Sequence, residues 1–246
     1  MEFLTAKQYL RKHCSSQRIK TDIGPLDKFL RGGIRTGKVY EIVGKPGTGG
    51  TQLCMKLCLN VQILKDARGL AGKALYLDTR MAFNPDALRN LAEDLAKSLD
   101  RRWQMESTPS ASDLLRNVHY LECRNAAQLV AGILNCHKYL EDDPNIKLIV
   151  VDSISFAIRM LDNVFERTEL LMELHDYMRN LQTNHDVAFV LTNDLGYRRH
   201  RRRFRLDAVL GQKHAHFIHK RIWFTETECF VGKTQKAKRL ICKLSE

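Results

Sequence analysis

The chain predicts an α/β fold: a largely parallel, doubly wound sheet with helices on both faces. Three observations carry this. Short apolar runs rich in β-branched and aromatic residues alternate with stretches whose apolar residues recur at helical spacing, the pattern of right-handed strand–helix–strand crossovers. A glycine-rich segment, GKPGTGGT at 44–51, joins the strand-like run VYEIV at 39–43 to a helical stripe. A later apolar run, 147–151, ends in an acid, Asp152.

Taken in order, the strand runs lie at 39–43, 74–77, 118–121, 147–151 and 187–191, short and apolar as strands buried on both faces must be. Leu53, Leu57 and Val61 form the first helical stripe. Leu88, Leu91, Leu95 and Leu99 form the second, opened by Asn84 as a cap with Pro85 at the first helical position. Asn125, with Gln128 three residues later, opens a third stripe of Leu129, Ile133 and Leu140. Leu170, Leu174, Met178 and Leu181 make the fourth. Three stretches break the alternation: the N-terminal segment to about Lys20, which reads as an arm or linker; 100–112 (DRRWQMESTPSAS), which reads as a surface excursion; and 196–205 (GYRRHRRRFR), a dense cationic loop directly after a buried strand. The chain thus divides into an arm, 1–20, and one core domain, 21–246.

A length of 246 residues suits a single sizeable core. With 40 Lys and Arg against 28 Asp and Glu, the net charge of +12 favours a polyanionic partner. No apolar run approaches the roughly 18 residues of a membrane span, and the first residues are polar and basic, so neither insertion nor secretion is expected. The seven cysteines are dispersed without metal-ligand spacing and read as reduced core thiols. Cys54 and Cys58 share a stripe with Leu53, Leu57 and Val61, which favours packing over metal.

Strand, glycine-rich loop and helix in succession are the context of a P-loop, whose glycines let backbone N–H groups wrap phosphates at a helix N-terminus. The pattern GxxxxGK[ST] is met at every position but one. Gly50 stands where the lysine belongs, so the ammonium that bridges β- and γ-phosphates is missing. Gly44, Lys45, Pro46, Gly47, Thr48, Gly49, Gly50 and Thr51 are therefore a degenerate nucleotide loop; Thr51 and Asp152 are the candidates to hold Mg²⁺ if nucleotide binds.

The segments TDIGPLDKFLRGGIRTGKVYEIVGKPGTGGTQLCMKLCLNVQ, LYLDTR, VHYLECRN, KLIVVDSIS and VLTND follow one another as the landmarks of the eukaryotic RecA-like recombinases do, over essentially residues 3–246. TQLCMKL and HYLECRN are most similar to the paralogue branch, its C-type member in particular. The resemblance implies a RecA-like P-loop ATPase core, a nuclear location, and a role in homologous-recombination repair of double-strand breaks and in meiosis, in heteromers with other recombinase paralogues. It also implies two departures from active members: Arg80 stands in place of the water-orienting Glu, and Asp194 in place of the γ-phosphate-sensing Gln. Together with Gly50 these remove most of the hydrolytic apparatus, leaving ATP and Mg²⁺ weakly held or not at all and no catalytic residue to name. Arg80 or Lys45 could supply a substitute positive charge near the γ-phosphate; each could equally be a solvated surface cation. The segment FLTA resembles the family's FxxA element, in which Phe3 and Ala6 would dock on a neighbouring subunit.

By position, the cationic loop corresponds to the family's second DNA-binding loop. Arg198, Arg199, Arg201, Arg202, Arg203 and Arg205, flanked by Tyr197 and Phe204, would bind single-stranded DNA by phosphate forks and base stacking; a nuclear-import patch or a solvated loop would look the same. The expected function is a paralogue adaptor that binds partner paralogues and single-stranded DNA with little or no hydrolysis. The alternative is a DNA-dependent ATPase that promotes strand exchange.

Overall fold

The structure, a computed structural model, describes residues 5, 17–64, 69–103, 108–200, 203–232 and 239–243. Phe3 and Ala6, the two anchor positions of the arm, lie outside the described residues. Arg18–Ile19 (β1) pairs antiparallel with Ile34–Arg35 (β2) around the short helix Gly24–Phe29 (α1). Ile19, Leu26 and Ile34 are buried together in the main core, so the folded body already includes residues 18–20, ahead of the boundary drawn at residue 21. Asn60 ties this segment down by donating to the Lys20 carbonyl and the Asp22 carboxylate, both at 2.9 Å.

The central sheet runs through Val39–Gly44 (β3), Lys73–Asp78 (β4), Val118–Glu122 (β5), Ile146–Asp152 (β6), Ala188–His200 (β7), Lys220–Phe224 (β9), Glu228–Val231 (β10) and Arg239–Lys243 (β11), in the order β11-β10-β9-β3-β7-β6-β4-β5. Every pairing from β9 to β5 is parallel; β10 and β11 add an antiparallel margin. The five apolar runs of the sequence are thus five parallel strands.

Alternate residues of these strands feed two cores. Tyr40, Ile42, Tyr76, Leu148, Val150 and Val190 pack toward Gly50–Asn60 (α2), Pro85–Trp103 (α3) and Ala111–Arg116 (α4). Leu75, Leu77, Ile149, Val151, Phe189 and Leu191 pack toward Ala126–Asp142 (α5), Ile154–Arg159 (α6) and Val164–His185 (α7). The caps are where the sequence puts them: Asn84 accepts from the Asp86 and Ala87 amides at 3.0 and 3.1 Å, and Asn125 from Gln128 N at 2.8 Å.

Two expected irregular stretches are regular in part, over the residues the structure describes. In the supposed excursion at 100–112, α3 continues through Trp103, and Ser110 begins α4 with a reciprocal capping box to Asp113. A serine-rich stretch can be helix punctuation rather than loop. The cationic segment is a ribbon rather than a loop: β7 runs on to His200 and returns antiparallel as Arg203–Ala208 (β8). Pairing satisfies the backbone of a solvent-exposed extension whatever charges it carries. Of the basic tail at 233–239, only Arg239 falls among the described residues.

One buried polar cluster clamps the second core. Glu41, fully buried on β3, receives the Arg221 guanidinium from β9, the Asn193 amide from β7 at 2.6 Å and lies 3.0 Å from His214 Nε2 on Gly211–Phe217 (α8). His214 Nδ1 in turn meets His175 Nε2 of α7 at 2.7 Å, and His175 stacks on Phe217. Burial alone would raise the Glu41 carboxyl, but the His214 ring and the Arg221 guanidinium outweigh it and hold it at about 2. Burial, with neighbouring positive charge, depresses His175 to about 3.

Stability therefore depends on pH with a defined sign. The unfolded chain protonates His175 as pH falls through its ordinary value of about 6.5, whereas the folded chain resists until about 3. The contribution is present above pH 6.5 and lost progressively below it, and that of Glu41 is lost in turn from pH 4.5 toward 2. Thermal melts should show a falling Tm between pH 6.5 and 4.5, and His175→Phe should flatten that interval. An unchanged slope in the variant would assign the acid sensitivity elsewhere.

Candidate functional site

The loop 44–51 leaves β3 at the carboxyl edge of the sheet, where open α/β folds bind ligands. Its shape needs its glycines. A Cβ on Gly44 would sit 2.4 Å from Thr48 Oγ1, and Gly47 and Gly49 adopt φ of 86° and 90°, in the left-handed region. Thr48 closes the turn through its amide and hydroxyl to the Lys45 carbonyl, at 3.2 and 2.8 Å. Gly49 caps α2 without any side-chain hydrogen bond, and no acid lies in the first turn. Initial N–H groups of a helix have no intrahelical acceptor, so this end of α2 offers amide donors to an anion.

Asp152, at the end of β6, organises the floor. Its Oδ2 accepts from Thr51 Oγ1 at 2.7 Å and Tyr76 OH at 2.6 Å, its Oδ1 from Thr192 Oγ1 at 2.5 Å. One carboxylate thus joins α2, β4 and β7 through three hydroxyls. Burial and the Asp152 charge push the Tyr76 phenol far up, so it stays a donor at any physiological pH.

Across the floor, the Arg80 guanidinium pairs with the Asp194 carboxylate. Ser155 donates to the other Asp194 oxygen at 3.0 Å and accepts from the Asp194 amide at 3.0 Å. Arg80 also lies over the Phe156 ring, 5.3 Å from its centroid. Arg80 is thus held in the cleft rather than solvated at the surface, and its charge is already matched. Lys45, by contrast, sits on an exposed stretch of the loop.

All ten residues chosen from the sequence as a degenerate nucleotide site, Gly44 to Thr51 with Arg80 and Asp152, line one cleft of about 360 Å³. Sequence reading missed Tyr76, Thr192 and Ser155: hydroxyls at alternating strand positions or just past a strand carry no motif. Gly50 lies at the mouth of α2 with an ordinary backbone, and a Cβ there would meet only Ile42 Cγ2, at 3.5 Å. The backbone has room for a lysine, so the fold does not force its loss. The donor set fits part of a nucleoside triphosphate: amides for the phosphates, Thr51 and Asp152 for a magnesium ion. Such an ion would supply charge neutralisation between phosphate oxygens. Among the described residues, the position of the P-loop lysine offers no cation, the Arg80 guanidinium is already paired, and Lys45, which also lines the cleft, stands on the exposed stretch of the loop.

The basic residues lie along the ribbon that starts one residue after Asp194. Arg198 and Arg199 belong to β7, Arg203 and Arg205 to β8, and Arg201 and Arg202 lie outside the described residues. The register sets Arg198 opposite Arg205 and Arg199 opposite Phe204; Tyr197 and Phe204 are 78% and 70% exposed.

With this geometry, comparisons with known proteins agree in kind. The Rad51 family model matches residues 12–202. The "DNA repair protein RAD51 homolog 3" of Cricetulus griseus is 30% identical over 231 residues, 89% of this chain and 63% of that protein. The "DNA repair and recombination protein RadA" of Aeropyrum pernix is 31% identical over 200 residues, 79% of this chain and 58% of that protein. The chain spans about three fifths of the length of these two relatives.

If Arg80 and Asp194 form one unit, Arg80→Ala and Asp194→Ala should not add. A double-mutant cycle read by urea melts should give a coupling on the order of 1 kcal/mol. Strict additivity would mean that the pair is not held in solution.

Proposed function

The chain belongs to the Rad51 family, and on that premise we propose that it serves recombinational DNA repair in the nucleus as a paralogue adaptor. In this reading it joins partner paralogues to single-stranded DNA and hydrolyses little or no ATP. The observation that carries it is the cleft: an intact P-loop frame in which Gly50 replaces the phosphate cation and Arg80 is paired with Asp194. Phosphoryl transfer needs positioned charge more than covalent chemistry; here glycine stands at the lysine position, Arg80 is committed to Asp194, and Lys45 sits on the exposed stretch of the loop, where nothing positions it. Weak nucleotide binding, with Thr51 and Asp152 holding Mg²⁺, fits the same frame. It would serve assembly rather than turnover.

The ribbon supports the DNA half of the reading. The register places Arg198 opposite Arg205 along the ribbon, a basic composition that a phosphate backbone matches in charge, and the exposed aromatics suit sequence-tolerant stacking. The partner half draws on the arm and on the β5 edge of the sheet. The arm, through Phe3 and Ala6, would engage a neighbouring subunit. β5, the last strand in the sheet order, borders an apolar cleft of about 270 Å³ lined by Leu75, Leu121 and Tyr139, suited to an extended segment added as a strand.

Two experiments test this. Phosphate release from ATP by the purified chain should stay at background with and without single-stranded DNA, and in a complex with its partner Thr51→Ala in this subunit should leave turnover unchanged. Turnover abolished by that substitution, with the partner intact, overturns the adaptor reading. Affinity for single-stranded DNA should fall with salt, by roughly 0.7 log units per neutralised phosphate per log unit of salt. Replacing Arg201, Arg202 and Arg203 by Ala should flatten that slope; the same slope and affinity in the variant would remove the ribbon from DNA binding.

A further inference from the structure

The antiparallel margin of the sheet holds a feature that recombination does not use. Cys229 on β10 and Cys242 on β11 are direct partners in the register, so their side chains lie on the same face of the sheet margin. Directly opposed antiparallel positions bring Cα atoms to about 4.5–5.5 Å, inside the window a disulfide needs. A register shift immediately after Cys229 gives the ladder local freedom to adjust. The two thiols differ in access. Cys229 is fully buried, whereas Cys242 is half-buried and opens onto a cleft of about 410 Å³ shared with Thr48, Gly49, Gln52 and Lys56, alongside the phosphate loop.

The other described cysteines lack this combination. Cys54 and Cys58 are fully buried, four residues apart on α2, where Cβ atoms stand about 5–6 Å apart, beyond disulfide reach. Cys123 and Cys136 are buried in the second core, where no oxidant reaches them, and each thiol donates to a backbone carbonyl.

We propose that Cys229 and Cys242 form an oxidisable dithiol, a covalent modification site whose co-reactant is a small-molecule disulfide of the glutathione class. Cys242, as thiolate, attacks one sulfur of the disulfide, giving a mixed disulfide at Cys242 and releasing one small-molecule thiolate. The Cys229 thiol loses its proton to solvent as its sulfur attacks Cys242 Sγ and expels the second small thiolate; the protons given up by Cys242 and Cys229 end on the two released thiolates. The sum is two protein thiols and one small disulfide converted to one protein disulfide and two small thiols. Burial, and the adjacent Cys242, raise the Cys229 thiol to about 12, so first attack falls to Cys242, the thiol with access to the cleft; Cys229 follows only once the mixed disulfide holds Cys242 beside it. The mixed disulfide stands in the cleft beside Thr48 and Gly49; closure of the bond clears it.

The test uses the folded full chain in excess oxidised glutathione, followed by acid quench, alkylation and non-reducing peptide mapping. The expected result is loss of alkylation at both Cys229 and Cys242, with their peptides recovered as one cross-linked species two hydrogens lighter, reversed by reduced glutathione. Cys229→Ser, or Cys229→Ala should serine prevent folding, should stop at a stable glutathione adduct on Cys242. Unchanged alkylation of both thiols, a stable adduct on Cys242 of the unsubstituted chain, or linkage of either residue to another cysteine would each overturn the proposal.

Discussion

The Asp152 carboxylate is the point on which the site turns. It ends strand β6 and collects hydroxyls from α2, β4 and β7, so the phosphate loop, the strand that leads into Arg80 and the strand that carries Asp194 share one anchor. A buried charge satisfied by several donors is stable, and one stripped of them is costly. That asymmetry keeps the floor of the cleft in shape whatever the loop above it carries. The frame of a P-loop thus survives as architecture, held by hydroxyls that a P-loop pattern does not specify.

The same economy explains how Gly50, Arg80 and Asp194 coexist in one cleft. Arg80 and Asp194 stand 114 positions apart and, taken singly, each would put an unmatched charge into a partly enclosed cleft. Together they neutralise one another, with Ser155 fixing the carboxylate and Phe156 the guanidinium plane. Gly50 needs no such partner, because removing a flexible side chain there leaves neither strain nor an orphaned group.

What was legible in the sequence was local. VYEIV, the glycine loop, the capped helices and Asp152 announce themselves within a few residues of chain, since strand period, helix period and turn chemistry are local physics. The Asp152 hydroxyls were not legible: Tyr76 and Thr192 look like ordinary strand residues until parallel pairing sets Tyr76 beside Val150 and Val151 beside Leu191. Glu41 reads as an oddity in an apolar run because its partners Asn193, His214 and Arg221 lie more than 150 positions downstream. The cationic segment misled for another reason. Charge density dominates the eye, but backbone pairing is decided by the ladder, and alternation with Tyr197, Phe204 and Leu206 suits a ribbon.

That ribbon is continuous with the middle of the molecule. β7 runs unbroken from Ala188 to His200, its first half clamped between β3 and β6 and its second half projecting as one arm of the hairpin. Tension applied at the tip along the strand is carried into two parallel ladders at once, loading their hydrogen bonds side by side in shear instead of unzipping them one at a time. The paired ribbon, out to His200 and Arg203, is therefore a stiff mechanical handle on the centre of the sheet.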